Sequence, residues 1–164
     1  MMMLYGPKET EQAAKIGEAL RFRGLTISTA ESITGGGLSS CLVSVPGSSS
    51  WFKGSAVAYR DEIKHALLGV PTEILEKRGA VSEECVEAMA EGARKLFMTD
   101  LAVAVSGIAG PDGDGSSNPV GTVWIAVALP SRTITRRRLF KGGREDVRRE
   151  TILEALSMIW KEII

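Results

Sequence analysis

The sequence predicts an α/β fold: a single three-layer α/β/α domain over residues 1–164 whose sheet is mixed and largely parallel, with a late antiparallel hairpin. Three observations carry this. Helical and extended patterns alternate along most of the 164 residues. Two alternating runs, Val120 to Leu129 and Thr133 to Phe140, follow each other late in the chain and read as a hairpin. No internal repeat or linker marks a boundary, and 44 % hydrophobic residues suffice for one core.

The elements follow in order. From Glu9 to Arg23, Ala13, Ile16, Gly17 and Leu20 recur at helical spacing, and Gly24 supplies a stop. Leu25 to Ala30 reads as a short strand, and Leu38 to Val45 as a helix ended by Pro46-Gly47. The stretch "PGSSSWFKG" reads as a loop, Gly54 to Tyr59 as a second strand, and Asp61 to Leu68 as a helix that Asp61 can cap. Gly69 and Pro71 break that helix, and Thr72 to Lys77 allows another helical turn. Ser82 to Met98 carries the clearest helical signal: Ser82 suits the N-cap, Glu83 and Glu84 suit the positive helix end, and Val86, Met89, Ala90, Ala93 and Phe97 share one face. Leu101 to Val105 is an apolar strand. The last helix, about Glu145 to Ile163, lines up Val147, Ile152, Ala155, Leu156, Ile159 and Ile163.

Composition narrows the function. Lys+Arg and Asp+Glu are both 20, so the net charge is zero, which argues against a general nucleic-acid binder. The run Arg136-Arg137-Arg138 reads as a solvated strand face or a local binding patch. Cys41 and Cys85 are far apart and support neither a disulfide framework nor a metal site. The single histidine, His65, argues against catalytic zinc, and it reads as a surface helix residue. The first ten residues lack a secretory pattern, and no apolar run approaches the roughly 20 residues of a membrane helix, so a cytoplasmic protein is expected.

Four segments hold candidate chemistry. In "STAESITGGGLSS", a strand feeds a glycine-rich turn and then a helix, leaving backbone N–H groups free at the helix start. Such a turn can hold a phosphate, stabilise an oxyanion beside a serine, or be a plain turn. It matches neither the P-loop nor the dinucleotide fingerprint. In "GSAVAYRDEIKHALLGV", Tyr59 ends a strand and Lys64 lies about a helical turn on. The pair can face one pocket, with Lys64 as a base toward a hydroxyl, or both can be plain surface residues. In "VSGIAGPDGDGSSNPVG", Ser106-Gly107 ends a strand and opens a loop long enough to suggest function; Asp112 and Asp114 lack calcium-loop spacing. In "KGGRE", Arg144 stands at a helix start beside two glycines, suited to phosphate or simply exposed.

Taken together, "TAESITGG", "GSAVAYRDEIKHALLGV", "GAVSEECVEAMAEGA", "LAVAVSGIAGPDG", "PVGTVWIAV" and "GGRE" occur in an order that resembles the C-terminal domain family of CinA, competence-damage-inducible protein A. The resemblance runs from about Glu9 to the C-terminus, and the separate N-terminal domain of longer members has no counterpart. It implies a cytoplasmic amidohydrolase that converts nicotinamide mononucleotide and water to nicotinic acid mononucleotide and ammonia, with no metal and no cofactor. The serine of the family's AES-TGG motif falls on Ser32, the implied nucleophile. The Tyr-x-Asn-x-x-Lys motif falls on Tyr59 and Lys64, implying that Lys64 takes the Ser32 proton while Tyr59 relays or steadies it. Gly35 and Gly36 would offer backbone N–H groups to the oxyanion or phosphate, and Thr34, Ser106, Gly107 and Arg144 would contact ribose-phosphate.

Three positions depart from the family pattern: Ile33 replaces a frequent Cys, Ser106 a frequent Thr, and Asp61 an Asn. A carboxylate beside Lys64 favours the ammonium form, so a base role there calls for compensating desolvation. The same fold with little or no hydrolysis, serving as a nucleotide-binding module, is the alternative. A nucleic-acid accessory role rests only on Arg136 to Arg138 and the competence-related family name. Trp51, Phe52 and Trp160, if exposed, would mark an interface, and a homodimer is expected.

Overall fold

The computed structural model describes residues 5–164. Helix α1 spans Pro7–Arg23 and ends at Gly24, whose φ of 66° is the left-handed conformation that closes the helix. Strand β1 is Ile27–Glu31, α2 Gly37–Val43 and, after a 3₁₀ turn at Ser48–Ser50, β2 is Phe52–Val57. Helices α3 (Asp61–Leu68), α4 (Thr72–Lys77) and α5 (Glu83–Phe97) precede β3 (Leu101–Gly107), β4 (Thr122–Ala128), β5 (Thr133–Leu139) and α6 (Arg144–Ile163).

One five-stranded sheet runs β2-β1-β3-β4-β5. The pairings of β1 with β2 and with β3 are parallel, whereas β3 with β4 and β4 with β5 are antiparallel. The sheet is therefore evenly mixed rather than largely parallel, because the hairpin joins through β3 itself. One face carries Ile27, Val103, Val105, Val123, Ile125 and Val127 against α1, α2 and α6. The other carries Ala30, Ala56, Ala102, Ala104, Ala126 and Ala128 against α5 and the end of α3. The strict period of two in "LAVAV" and "IAVA" sends small and branched side chains to opposite layers.

Local chemistry explains most boundaries. Ser82 Oγ accepts the Cys85 N–H at 3.2 Å, the expected N-cap of α5. Asp61 does not cap α3; Arg60 holds the cap position without a side-chain bond, and Asp61 is the first helical residue. Strand β2 begins at Phe52, two residues before the expected Gly54, because Ile27 N–H donates to the Trp51 carbonyl and draws that segment onto the sheet. Trp51 is buried in the core and Phe52 packs partly against it, so neither is the exposed aromatic that an interface would use. The arginine run lies on edge strand β5, where Arg136 and Arg138 pair with Glu154 at 2.8 and 3.1 Å. Cys41 and Cys85 are free and buried, and His65 is exposed with Nδ1 2.8 Å from the Val70 carbonyl.

Candidate active site

The polar side chains of "STAESITGGGLSS" divide between the two faces of the sheet. Ser28, on the alanine face, sits 2.8 Å from Thr99 Oγ1 under α5. Glu31, on the opposite face and fully buried, reaches the start of α2. Its carboxylate accepts the N–H groups of Leu38 and Ser39 at 2.8 and 2.9 Å and the Thr34 hydroxyl at 2.7 Å. Ser55 Oγ adds a bond at 3.2 Å while accepting one from Thr29 Oγ1 at 2.7 Å. The helix start that the glycine-rich turn opens is thus filled by an internal carboxylate. Gly35 and Gly36, with φ of 58° and 96°, allow the tight reversal that brings the helix back over Glu31.

Ser32 follows Glu31 directly. Its N–H donates to Val105 O at 3.0 Å and its carbonyl accepts the Gly35 N–H at 3.1 Å, which fixes it at the end of β1. It borders a cavity of about 170 Å³ that Tyr59, Asp61, Lys64, Ser106, Gly107, Asp114 and Arg144 also line. Of the residues singled out in the sequence, the fold brings together Ser32, Tyr59, Lys64, Ser106, Gly107 and Arg144. Thr34, Gly35 and Gly36 lie outside this lining and form the turn behind it. A larger groove of about 670 Å³, bordered by Tyr5, Glu9, Gly37, Arg148, Arg149 and Ile152, lacks a hydroxyl–amine pair.

Lys64 is only 1 % exposed, unusual for a helical lysine. Its Nζ donates to the Tyr59 carbonyl at 3.1 Å and lies 3.5 Å from Asp61 Oδ1. Among the described residues no hydrogen bond joins Ser32 to Lys64, although both line the one cavity. Helix α3 is pressed onto α5, where a Cβ on Gly92 would lie 2.0 Å from the Leu68 carbonyl. That close approach buries Lys64 beside Cys85. Burial pushes the Cys85 thiol up to about 11, the Lys64 charge opposing the rise and Asp61 adding to it. Cys85 is accordingly an unreactive thiol at neutral pH.

Tyr59 serves through two groups. Its carbonyl holds Lys64, while its half-exposed phenol accepts from Arg144 at 3.3 Å. Arg144, the first residue of α6, also donates to Gly110 O at 2.8 Å. Ser106 Oγ donates to Ala80 O at 2.8 Å, tying the end of β3 to the approach of α5. Gly107 has no room for a side chain, since a Cβ would meet Val123 Cγ2 at 2.7 Å and Thr122 O at 2.8 Å.

Sequence reasoning missed Glu31 and Asp114. The signal for Glu31 was present: a carboxylate ending a strand, three residues before a threonine and just ahead of a helix start. Asp114 looked like part of a failed calcium pattern, and only the folded loop puts it on the cavity wall.

A three-layer α/β fold with a hydroxyl and a buried amine on one cavity defines a class of candidate hydrolases. The overall shape matches solved structures of competence- and damage-related proteins. One is the competence/damage-inducible protein CihA of Agrobacterium tumefaciens, at TM-score 0.94 and 36 % identity over 98 % of both chains. Another is a competence damage-inducible protein A of Klebsiella pneumoniae, at TM-score 0.93 and 37 % identity over 94 % of this chain and 96 % of that one. The profile of the CinA C-terminal domain matches residues 9–163, and the chain belongs to that family. Its curated relatives include the nicotinamide-nucleotide amidohydrolase PncC of Pseudomonas putida, 48 % identical over 90 % of this chain and 92 % of that protein. PncC of Escherichia coli K12 is 46 % identical over 92 % of each chain. A CinA-like protein of Fervidobacterium nodosum is 47 % identical over 98 % of this chain, which spans 40 % of that longer protein.

Proposed function

We propose that this chain is a nicotinamide-nucleotide amidohydrolase, working as a single domain and hydrolysing nicotinamide mononucleotide to nicotinic acid mononucleotide and ammonia. The observation that carries the reading is a lysine amine buried in the wall of a cavity that a strand-end serine also lines. The 46–48 % identity to nicotinamide-nucleotide amidohydrolases over about nine-tenths of the chain supplies the substrate class.

In this mechanism Ser32 Oγ gives its proton to Lys64 Nζ and attacks the carboxamide carbon. Lys64 then returns the proton to the leaving nitrogen as the C–N bond breaks, releasing ammonia and an ester on Ser32. Water, deprotonated by the same amine, opens the ester to the carboxylic acid and restores Ser32. The proton shuttles between Ser32, Lys64 and water, so the scheme is written with no metal and no cofactor. The Tyr59 carbonyl aims the amine, and Asp61 stays a neighbour that the amine leaves when it turns toward Ser32. Arg144, held by Tyr59 and Gly110, takes the substrate phosphate, and Ser106 and Gly107 bound the ribose side. Thr34, Gly35 and Gly36 contribute by holding the turn behind Ser32.

The experiment is ammonia release from nicotinamide mononucleotide. Ser32→Ala and Lys64→Ala are each expected to lose about a thousandfold or more in kcat, as removal of a nucleophile or its base does. An active wild type with an equally active Ser32→Ala refutes the assignment. The alternative, a binding module without turnover, is recognised by calorimetric binding of the nucleotide with no product.

No helix among the described residues is long and apolar enough to cross a membrane. We read the enzyme as cytoplasmic and, at zero net charge, without a nucleic-acid partner. The open edge of β2, where Val57 is 48 % exposed, supports a homodimer, checked by light scattering.

A further inference from the structure

The ionisable side chains that line the Ser32 cavity, Tyr59 aside, are the carboxylates Asp61 and Asp114 and the cations Lys64 and Arg144. Their charges cancel on paper but not in use. Arg144 donates to a carbonyl and a phenol, so its positive charge is uncommitted to any carboxylate and is free for a phosphate. Lys64 lies 3.5 Å from Asp61 Oδ1, longer than a charge-assisted hydrogen bond. In the proton transfer described above, Lys64 acts as an uncharged amine. Asp61 then faces the cavity without a counter-charge. Among the described residues Asp114 has none at any stage: its Oδ1 accepts only from the Ser116 N–H, at 2.9 Å, and the Ser116 hydroxyl. With its working amine neutral, the charged groups left on this cavity wall are the two carboxylates and Arg144.

The proposed substrate answers that pattern. A pyridine ring joined to ribose through its nitrogen is a pyridinium and carries a full positive charge beside the carboxamide. We propose that Asp61 and Asp114 are specificity-determining residues that select the cationic pyridinium ring over a neutral ring of the same outline. The inference rests on the amidohydrolase reading for the location of the ring. Arg144 holds the dianionic phosphate and the two carboxylates meet the ring charge, so the nucleotide is oriented by its own charge separation. Hydrolysis keeps the ring cation but adds a carboxylate to it, which the same two side chains repel. The carboxylates thereby favour substrate entry and product departure together. Both side chains reach solvent, so the effect is moderate and weakens with added salt.

The 1,4-dihydro form of nicotinamide mononucleotide is the discriminating probe, because it keeps the carboxamide, ribose and phosphate but has an uncharged ring. Its carboxamide is also less electrophilic, so binding rather than turnover is the proper readout. Dissociation constants for the oxidised nucleotide, the dihydro form and nicotinic acid mononucleotide are measured calorimetrically on Ser32→Ala protein. The oxidised nucleotide is expected to bind about tenfold tighter than the dihydro form. Asp61→Asn in that background should cut the preference to about threefold. Asp114→Asn should cut it less, and the double variant should bring it to about one. Nicotinic acid mononucleotide should tighten relative to the amide as the carboxylates are removed. Asp114→Asn changes only an exposed loop residue, which guards against a folding defect in α3. An oxidised-to-dihydro ratio that survives in the double variant, or no binding of either ring form, overturns the proposal. Failure of the parent reading is distinct: it is a wild type that releases no ammonia, while the ratio of dissociation constants tests ring selection by itself.

Discussion

The two faces of the sheet are packed by opposite strategies, and each delivers half of the site. On one face, branched Ile27, Val103, Val105, Ile125 and Val127 meet the large side chains of α1, α2 and α6. On the other, Ala30, Ala102, Ala104, Ala126 and Ala128 meet Met89, Ala90 and Ala93 of α5, so helix and sheet approach closely. The branched face positions α2, whose start is tied to Glu31 beside Ser32, and α6, whose first residue is Arg144. The alanine face positions α5, on which α3 rests with Lys64 buried. Ser32 and Lys64 are thus located by separate layers, and the contrast teaches that a void harms one half while added bulk harms the other.

Substitutions can break this comparison. The largest effect is expected on the branched side from Glu31→Ala, which strands the buried Leu38 N–H, the half-buried Ser39 N–H and the buried Thr34 hydroxyl. At about 1–3 kcal/mol for each unmet group, the loss should reach roughly 3 kcal/mol or more in denaturant unfolding, with activity falling alongside. Glu31→Gln, which keeps one acceptor oxygen, should lose less. On the alanine side, Gly92→Ala forces a Cβ to within 2.0 Å of the Leu68 carbonyl unless α3 moves. A cost of about 2–3 kcal/mol is expected. If α3 serves mainly to position Lys64, kcat should fall more than KM rises.

A matched pair sharpens the contrast within one strand. Val103→Ala leaves a void on the branched face, and Ala104→Leu overfills the alanine face. Each should cost about 1–3 kcal/mol by thermal or chemical unfolding. Only Ala104→Leu should also depress kcat, since it pushes on the layer that holds Lys64; equal kinetic effects would erase the division of labour.

The smallest expected effect is electrostatic and lies on the branched side. Burial is the largest influence on the Glu9 carboxyl and acts to raise it, but the Arg149 hydrogen bond, a backbone hydrogen bond and the charges of Arg149 and Lys8 together hold the group below its ordinary 4.5. Glu154 is likewise lowered against its burial by Arg136 and Arg138. A carboxylate depressed in the folded state stabilises above its unfolded value, and that contribution fades as pH falls through its folded value. Unfolding midpoints should therefore be flat near neutrality and drop below about pH 4.5. Glu9→Gln should remove part of the acid slope and cost about 1 kcal/mol or less at neutral pH, because Arg149 is largely exposed.

Much of this organisation was legible in the residues. The spacing in α5 and α6, the stop at Gly24 and the Ser82 cap all correspond to chemistry within a few residues along the chain. The start of β2 was not legible, because a serine run before Trp51 looks like a loop until Ile27 binds the Trp51 carbonyl. The resemblance singled out Ser32, Tyr59 and Lys64, and their shared cavity required the fold. Burial of Lys64 depends on Gly92, 28 positions further along the chain, and no local pattern reports it. The role expected of the Tyr59 phenol is divided, with the backbone carbonyl meeting the amine and the phenol meeting Arg144. The resemblance implied a ribose-phosphate contact for Thr34, whose hydroxyl in the fold donates inward to Glu31.

The carboxylate at the start of α2 has a kinetic meaning as well. Many glycine-rich turns become ordered only when an anion arrives, and part of the affinity is then lost to that ordering. Here the chain carries its own anion, so the turn behind Ser32 is set once, during folding, and is ready at every encounter. That turn needs no arriving anion to take its shape, because Glu31 already occupies the place.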